Sequence, residues 1–127
     1  MLFGKLVLGI TGVIFSLYGI ACFLDPAVPA DFMGVDLLDG SGPVEFIAMY
    51  GGLQSAVGFY LVYCCLKPER VSNGLVILAV LTAGLGIARA IGIMRLGADP
   101  YNTGAAVYEL ATMALAILAW RQASKAA

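Results

Sequence analysis

Histidine is missing from the sequence altogether, and charge is scarce: of 127 residues only 12% are Asp, Glu, Lys or Arg. Without imidazole there is no His-ligated metal or haem site and no Ser–His or Cys–His catalysis. Three cysteines without a Cys-x-x-Cys pair leave no thiol-redox motif. Glu45 and Glu109 are too few carboxylates for a dedicated metal site, and no Gly-rich phosphate loop stands between a strand and a helix. No metal and no cofactor are expected. The little charge is balanced, seven Lys/Arg against eight Asp/Glu for a net −1, which excludes the basic face of a nucleic-acid binder.

What is there instead is apolar: 61% of the residues are hydrophobic. A soluble domain is about 45–50% apolar and about 25% charged. A small soluble domain also buries a smaller share of its surface than a large one. An integral membrane protein is therefore expected. A helix needs about 20 mostly apolar residues to cross a bilayer. Four stretches meet that length, at about 2–24, 44–66, 74–96 and 103–120. They are continuous, without the alternating period of barrel strands. The expected architecture is all-α, a single domain folded as an up-down four-helix bundle.

The punctuation agrees. Asp25-Pro26 stops the first stretch, and an acidic segment at 25–43 follows. Pro43 can sit in the first turn of the second helix, where a missing N–H costs little. Lys67-Pro68 ends that helix, Ser72 or Asn73 can cap the third, and Asn102 or Thr103 can cap the fourth. The first stretch is expected to be retained rather than cleaved. Its apolar run is long for a signal core, and Gly19 stands where a lipoprotein site before Cys22 would carry a large aliphatic residue.

Charge sets the orientation. Lys5, Lys67, Arg70, Arg121 and Lys125 fall on one side, while Asp25, Asp31, Asp36, Asp39 and Asp99 fall on the other, with Arg95 as its one basic residue. The positive-inside rule then places both termini in the cytoplasm and the 25–43 segment outside. That segment mixes acids with Val28, Phe32, Met33, Val35, Leu37 and Leu38. It can lie on the membrane surface, fold over the bundle mouth, or be a solvated linker. Cys22 is at the opposite depth from Cys64 and Cys65, roughly 25–30 Å away at about 1.5 Å of rise per residue, so a disulfide to either is excluded. The cysteines read as small apolar fillers.

The informative residues are the polar ones within the spans: Glu45, Tyr50, Gln54, Arg89, Tyr108 and Glu109. Such groups usually face an interior or a wet cavity and have a partner. Arg89 is seven residues before the end of its span, and Glu109 about six into the next, so both lie roughly 9–10 Å from the same boundary. An Arg89–Glu109 ion pair follows from topology. Glu45, near that boundary, can meet Arg95 or the 25–43 segment. At about 100° per residue, Tyr50 and Gln54 share a face and Glu45 lies opposite Gln54.

Small residues mark candidate packing faces. They are Gly9, Gly12, Ser16 and Gly19 on the first span, and Ala48, Gly52 and Ala56 on the second. The third carries Gly86 with Ala90 and Ala88 with Gly92. Small-xxx-small faces let helices approach closely, within one chain or between subunits.

The buried set reads either as a structural ion pair fixing helix register or as a polar site opening on the outer face. In the second case Arg89 holds an anionic or polar group of a lipid or small molecule, Glu109 balances it, and Tyr50, Gln54 and Tyr101 orient it. The leading expectation is an inner-membrane binding or interaction module without enzymatic activity. Its partners would be the bilayer and a second copy or another membrane protein. The alternatives are a transporter-like or channel-forming oligomer, which needs a wet path across the membrane, and an enzyme acting on lipid. The enzyme would need Glu109 kept protonated by burial, whereas a close Arg89 would hold it charged.

Several segments together resemble a known group. They are Glu45-Phe46-Ile47-Ala48-Met49-Tyr50-Gly51-Gly52-Leu53-Gln54, Gly86-Ile87-Ala88-Arg89-Ala90-Ile91-Gly92, Tyr101-Asn102 and Glu109-Leu110. The chain resembles, over most of its length, the small bacterial four-helix membrane proteins grouped as a domain of unknown function. The resemblance implies the four-helix fold and a place in the bacterial inner membrane. It implies no activity.

Overall fold

The computed structural model describes residues 1–38 and 40–125. Asp39, one of the five outer acids read from the sequence, lies outside the described residues. The fold is all-α, with no strand among the described residues. In chain order the helices are α1 (Leu2–Leu24), α2 (Ala27–Met33), α3 (Ser41–Phe46), a π-helical stretch Ile47–Leu53, α4 (Gln54–Leu66), a 3-10 turn Pro68–Arg70, α5 (Val71–Leu96) and α6 (Pro100–Lys125). Four continuous helical runs are long and apolar enough to cross a bilayer, namely Leu2–Leu24, Ser41–Leu66, Pro68–Leu96 and Pro100–Lys125.

The first run has the bounds expected from sequence. The other three begin a few residues earlier, and each shift has a local cause. Pro43 falls within the first turn of α3, as expected, and Ser41 and Gly42 extend the helix before it. α5 starts at Val71 directly after the 3-10 turn, with no side-chain cap, so neither Ser72 nor Asn73 caps it. α6 is capped by Asp99, not by Asn102 or Thr103: the Asp99 carboxylate accepts the Asn102 backbone N–H at 2.9 Å. Pro100 follows at the first helical position, which it favours. α5 ends at Gly97, whose φ of 102° is one that L side chains rarely adopt.

The chain divides into two compact units, Gly9–Tyr63 and the remainder, Met1–Leu8 with Cys64 onward. In the unit Gly9–Tyr63, the small-residue face of α1 packs on the second run. A Cβ on Gly58 would lie 2.5 Å from the Ser16 backbone N, and one on Gly19 would lie 2.6 Å from the Ser55 backbone N. Both contacts are with backbone, so both positions require glycine for the helices to meet. Ser16 satisfies its hydroxyl by donating to the Gly12 carbonyl at 2.7 Å.

The face of the second run that meets α1 is thus Gly51, Ser55, Gly58 and Val62. Ala48, Gly52 and Ala56, the face expected from spacing, are exposed. The contacting set recurs at spacings of four, three and four, so it too has the α period. The run carries two adjacent small-residue stripes, and α1 takes the one through Gly51 and Gly58.

In the other unit, α5 and α6 form an antiparallel pair joined by Gly97–Asp99. α5 buries Val71, Gly74, Leu75, Leu78, Thr82 and Gly86 at helical period. α6 answers with Ala106, Glu109, Thr112, Ala116, Ala119 and Ala123. The alanines leave α6 a narrow face, which lets the two backbones come close. Thr82 and Thr112 each return their hydroxyl to a carbonyl four residues back, so neither leaves a donor stranded. Leu8 of α1 is fully buried in this unit, against Gly74.

Candidate functional site

The α5–α6 pair brings together the polar residues of the second unit. Arg89 sits about two turns before the end of α5, and Glu109 about two and a half turns into α6. Arg89 Nε donates to Glu109 Oε2 at 2.9 Å, and Arg89 Nη2 to Oε1 at 2.8 Å. This is the two-point geometry in which a guanidinium and a carboxylate bind most strongly. Glu109 is almost wholly buried, while Arg89 keeps 21% of its side-chain surface.

Arg89 also donates from Nη1 to Asn102 Oδ1 at 2.6 Å. Asn102 in turn donates from Nδ2 to Asp99 Oδ2 at 2.6 Å. A continuous hydrogen-bonded chain therefore runs from buried Glu109 through Arg89 and Asn102 to exposed Asp99. The guanidinium carbon stands 5.9 Å from the centroid of the Tyr101 ring, within cation–π range. Asp99 lies outside the helices, and its carboxyl is held below the usual carboxylate range. The Asn102 backbone N–H contributes most to this, followed by the Asn102 side-chain amide.

Asn102 and Asp99 are the two members of this site that sequence reasoning missed as partners of Arg89. A signal existed. Asn102 and Glu109 are seven residues apart on one helix and so share a face, and Asp-Pro-x-Asn places an aspartate cap beneath the asparagine.

A groove of about 500 Å³ opens along α5 beside this chain of bonds. Its apolar stretch is formed by Gly84, Leu85, Ala88, Gly92, Ile93 and Leu96, and its polar end by Arg89, Asp99 and Asn102. Gly84 and Gly92 differ from the other helical glycines of α5. A Cβ on Gly74 would lie 2.7 Å from Cys64, and one on Gly86 would lie 2.8 Å from Leu110, so both are dictated by packing. A Cβ on Gly84 or Gly92 would meet nothing within 4 Å.

The remaining candidates lie elsewhere. Tyr50 and Gln54 belong to the unit Gly9–Tyr63. Tyr50 is exposed, its ring 4.7 Å from that of Phe46, and Gln54 is half-buried at the start of α4. Glu45 is exposed in that unit and Arg95 in the other. All three cysteines are free, and Cys65 donates to the Lys5 carbonyl at 3.2 Å.

No curated protein and no solved structure matches the chain. The family comparison covers all but the two ends of the sequence: residues 3–120 match a domain of unknown function (DUF4345), and the chain belongs to that family.

Proposed function

We propose that the protein is a small multi-pass protein of the bacterial inner membrane that works as a binding module, holding a lipid or other amphiphile in the groove along α5. The four runs cross the bilayer in up-down order with both termini in the cytoplasm. Lys5, Lys67, Arg70, Arg121 and Lys125 on one side against Asp25, Asp31, Asp36 and Asp99 on the other support this orientation.

The observation that carries the reading is the pair of glycines at the groove. Glycine inside a helix costs roughly 0.5–1 kcal/mol relative to alanine. At Gly84 and Gly92 the chain gains no close contact of its own in return. Open space on a membrane-facing helix is filled by whatever lies outside the chain. Here that space leads to the Arg89–Glu109 ion pair, as an apolar channel leads to a polar head.

The chemistry of the head follows from the charges. Arg89 and Glu109 neutralise each other, and Asp99 adds one negative charge at the groove end. A zwitterionic or neutral polar head group fits better than a bare anion. Glu109 holds Arg89 in place, so the pair is at once scaffold and wall.

A second reading has support in the same residues. Gly84, Ala88 and Gly92 recur every four residues, the spacing at which α5 of a second copy could pack. The two readings part in native mass spectrometry of protein extracted in mild detergent. The lipid reading expects co-purified phospholipid on the wild type and its loss in Gly84→Leu and Gly92→Leu, which fill open space without touching Arg89. Equal lipid occupancy in all three proteins contradicts it. A wild-type dimer that both variants split, without bound lipid, supports the second copy instead.

A further inference from the structure

We infer that α2 and the residues after it form a second lipid contact, an acidic-rimmed interfacial helix seated on the zwitterionic leaflet next to the end of α1. This inference rests on α1 and Ser41–Leu66 crossing a bilayer and is independent of what fills the α5 groove.

α2 is too short to be stable by propensity, yet both of its ends are fixed. The Asp25 carboxylate accepts the Ala27 backbone N–H at 3.2 Å. At the other end Gly34 takes a left-handed φ of 71°. Its N–H bonds the Asp31 carbonyl at 3.0 Å, and the Val35 N–H bonds the Ala30 carbonyl at 2.8 Å. This is the Schellman closure, in which both amides beyond the helix satisfy orphan carbonyls.

A helix fixed in this way has a defined inside and outside. Ala30 and Met33 are buried. Val28 and Phe32, four residues apart on the opposite face, are 67% and 73% exposed. Leu24 before the helix and Leu38 after it are as exposed. Four large apolar side chains thus project from one short segment, an arrangement that marks a surface made to be covered.

Position identifies what covers it. Only Asp25 and Pro26 separate α2 from α1, so α2 is held at the boundary where α1 leaves the membrane. A helix with an apolar outer face at that level inserts it at the boundary between head groups and acyl chains. Charge narrows the choice further. Between Lys5 and Lys67 there is no basic residue, and Asp25, Asp31 and Asp36 flank the apolar face. A second copy placing the same patch against this one would meet like charge. Anionic head groups are disfavoured for the same reason, the reverse of the attraction that basic segments feel for them.

The test uses the full chain in the Trp120→Phe background with Phe32→Trp, reconstituted in phosphatidylcholine vesicles with and without bromine on the acyl chains. The inference expects blue-shifted Trp emission that bromine on the acyl chains quenches, since the face sits at the boundary between head groups and acyl chains. It also expects weaker quenching when phosphatidylglycerol is mixed in at low ionic strength, restored by salt that screens the acids. Val28→Trp reads the same face should Phe32→Trp fail to fold. Water-like emission overturns the inference. So does blue-shifted emission that bromine leaves untouched, since protein and not lipid then covers the face. Quenching indifferent to head-group charge overturns the zwitterionic preference. Failure of the chain to insert into vesicles at all would overturn the membrane-spanning reading with it.

Discussion

At the residue scale the molecule turns on Arg89. Its charge is neutralised by Glu109 and its orientation fixed by Asn102, so removing it strands a buried carboxylate. Breaking one side of a buried pair costs about 3–5 kcal/mol, whereas removing both sides costs less. Arg89→Ala is therefore expected to melt in detergent well below the Arg89→Ala/Glu109→Ala double variant. Equal melting temperatures would contradict the coupling.

Asp99 carries a pH dependence of known sign. Its folded pKa lies below the unfolded value of about 3.9, so its stabilisation is complete above that pH and is lost as pH falls through the folded value. Asp99→Asn keeps a cap but cannot titrate. Wild type is expected to lose stability below about pH 3.9 relative to Asp99→Asn, measured as the difference in melting temperature across an acid series. A difference that stays constant through that window would show that the cap does not titrate.

Much at this scale is legible in the sequence, and one part is not. Counting 1.5 Å per residue from the span ends puts Arg89 and Glu109 at one depth, and their atoms lie 2.8 Å apart. Asn102 escapes the same arithmetic because asparagine near a helix start reads as a cap. Its cap role is filled by Asp99, which frees the amide for Arg89.

At the scale of elements, glycine has two opposite meanings. Gly58 lies where a Cβ would strike the Ser16 backbone, while Gly92 faces open space. Gly58→Ala is expected to destabilise by about 1–3 kcal/mol through forced separation of the helices. Gly92→Ala is expected to stabilise by roughly 0.5–1 kcal/mol. Thermal melts of both variants in the same detergent check the contrast, and shifts of the same sign would refute it.

Small-residue spacing alone separates these cases poorly, as the second run shows. Its motif through Gly51-Gly52 reads at α period as an Ala48, Gly52 and Ala56 face, yet Gly51, Ser55 and Gly58 make the contact. Both sets recur at helical period, so spacing does not say which of two adjacent small-residue stripes the neighbouring helix takes. The faces of α2 were equally hidden. Seven residues are too few for a period to show, and only the caps reveal which side is fixed inward.

At the scale of the whole molecule, the helix number, lengths and order follow from hydrophobic runs and their Gly and Pro punctuation, because a span has to satisfy its backbone internally. The orientation is a matter of charge, and the proposal gives it a direct check. Reporter fusions at either terminus are expected to read as cytoplasmic, and a tag in the 25–43 segment as external. The opposite pattern would reverse the side from which the α5 groove is reached.

The central claim is that the α5 groove holds an amphiphile with its head at the Arg89 end. The most direct test is a high-resolution structure determined in native lipid. Continuous density is expected along Gly84, Ala88 and Gly92, ending in a polar head within hydrogen-bonding distance of Arg89 or Asn102. A groove filled by the chain's own side chains, or occupied by α5 of a second copy, would contradict the claim and leave Arg89 and Glu109 as scaffold.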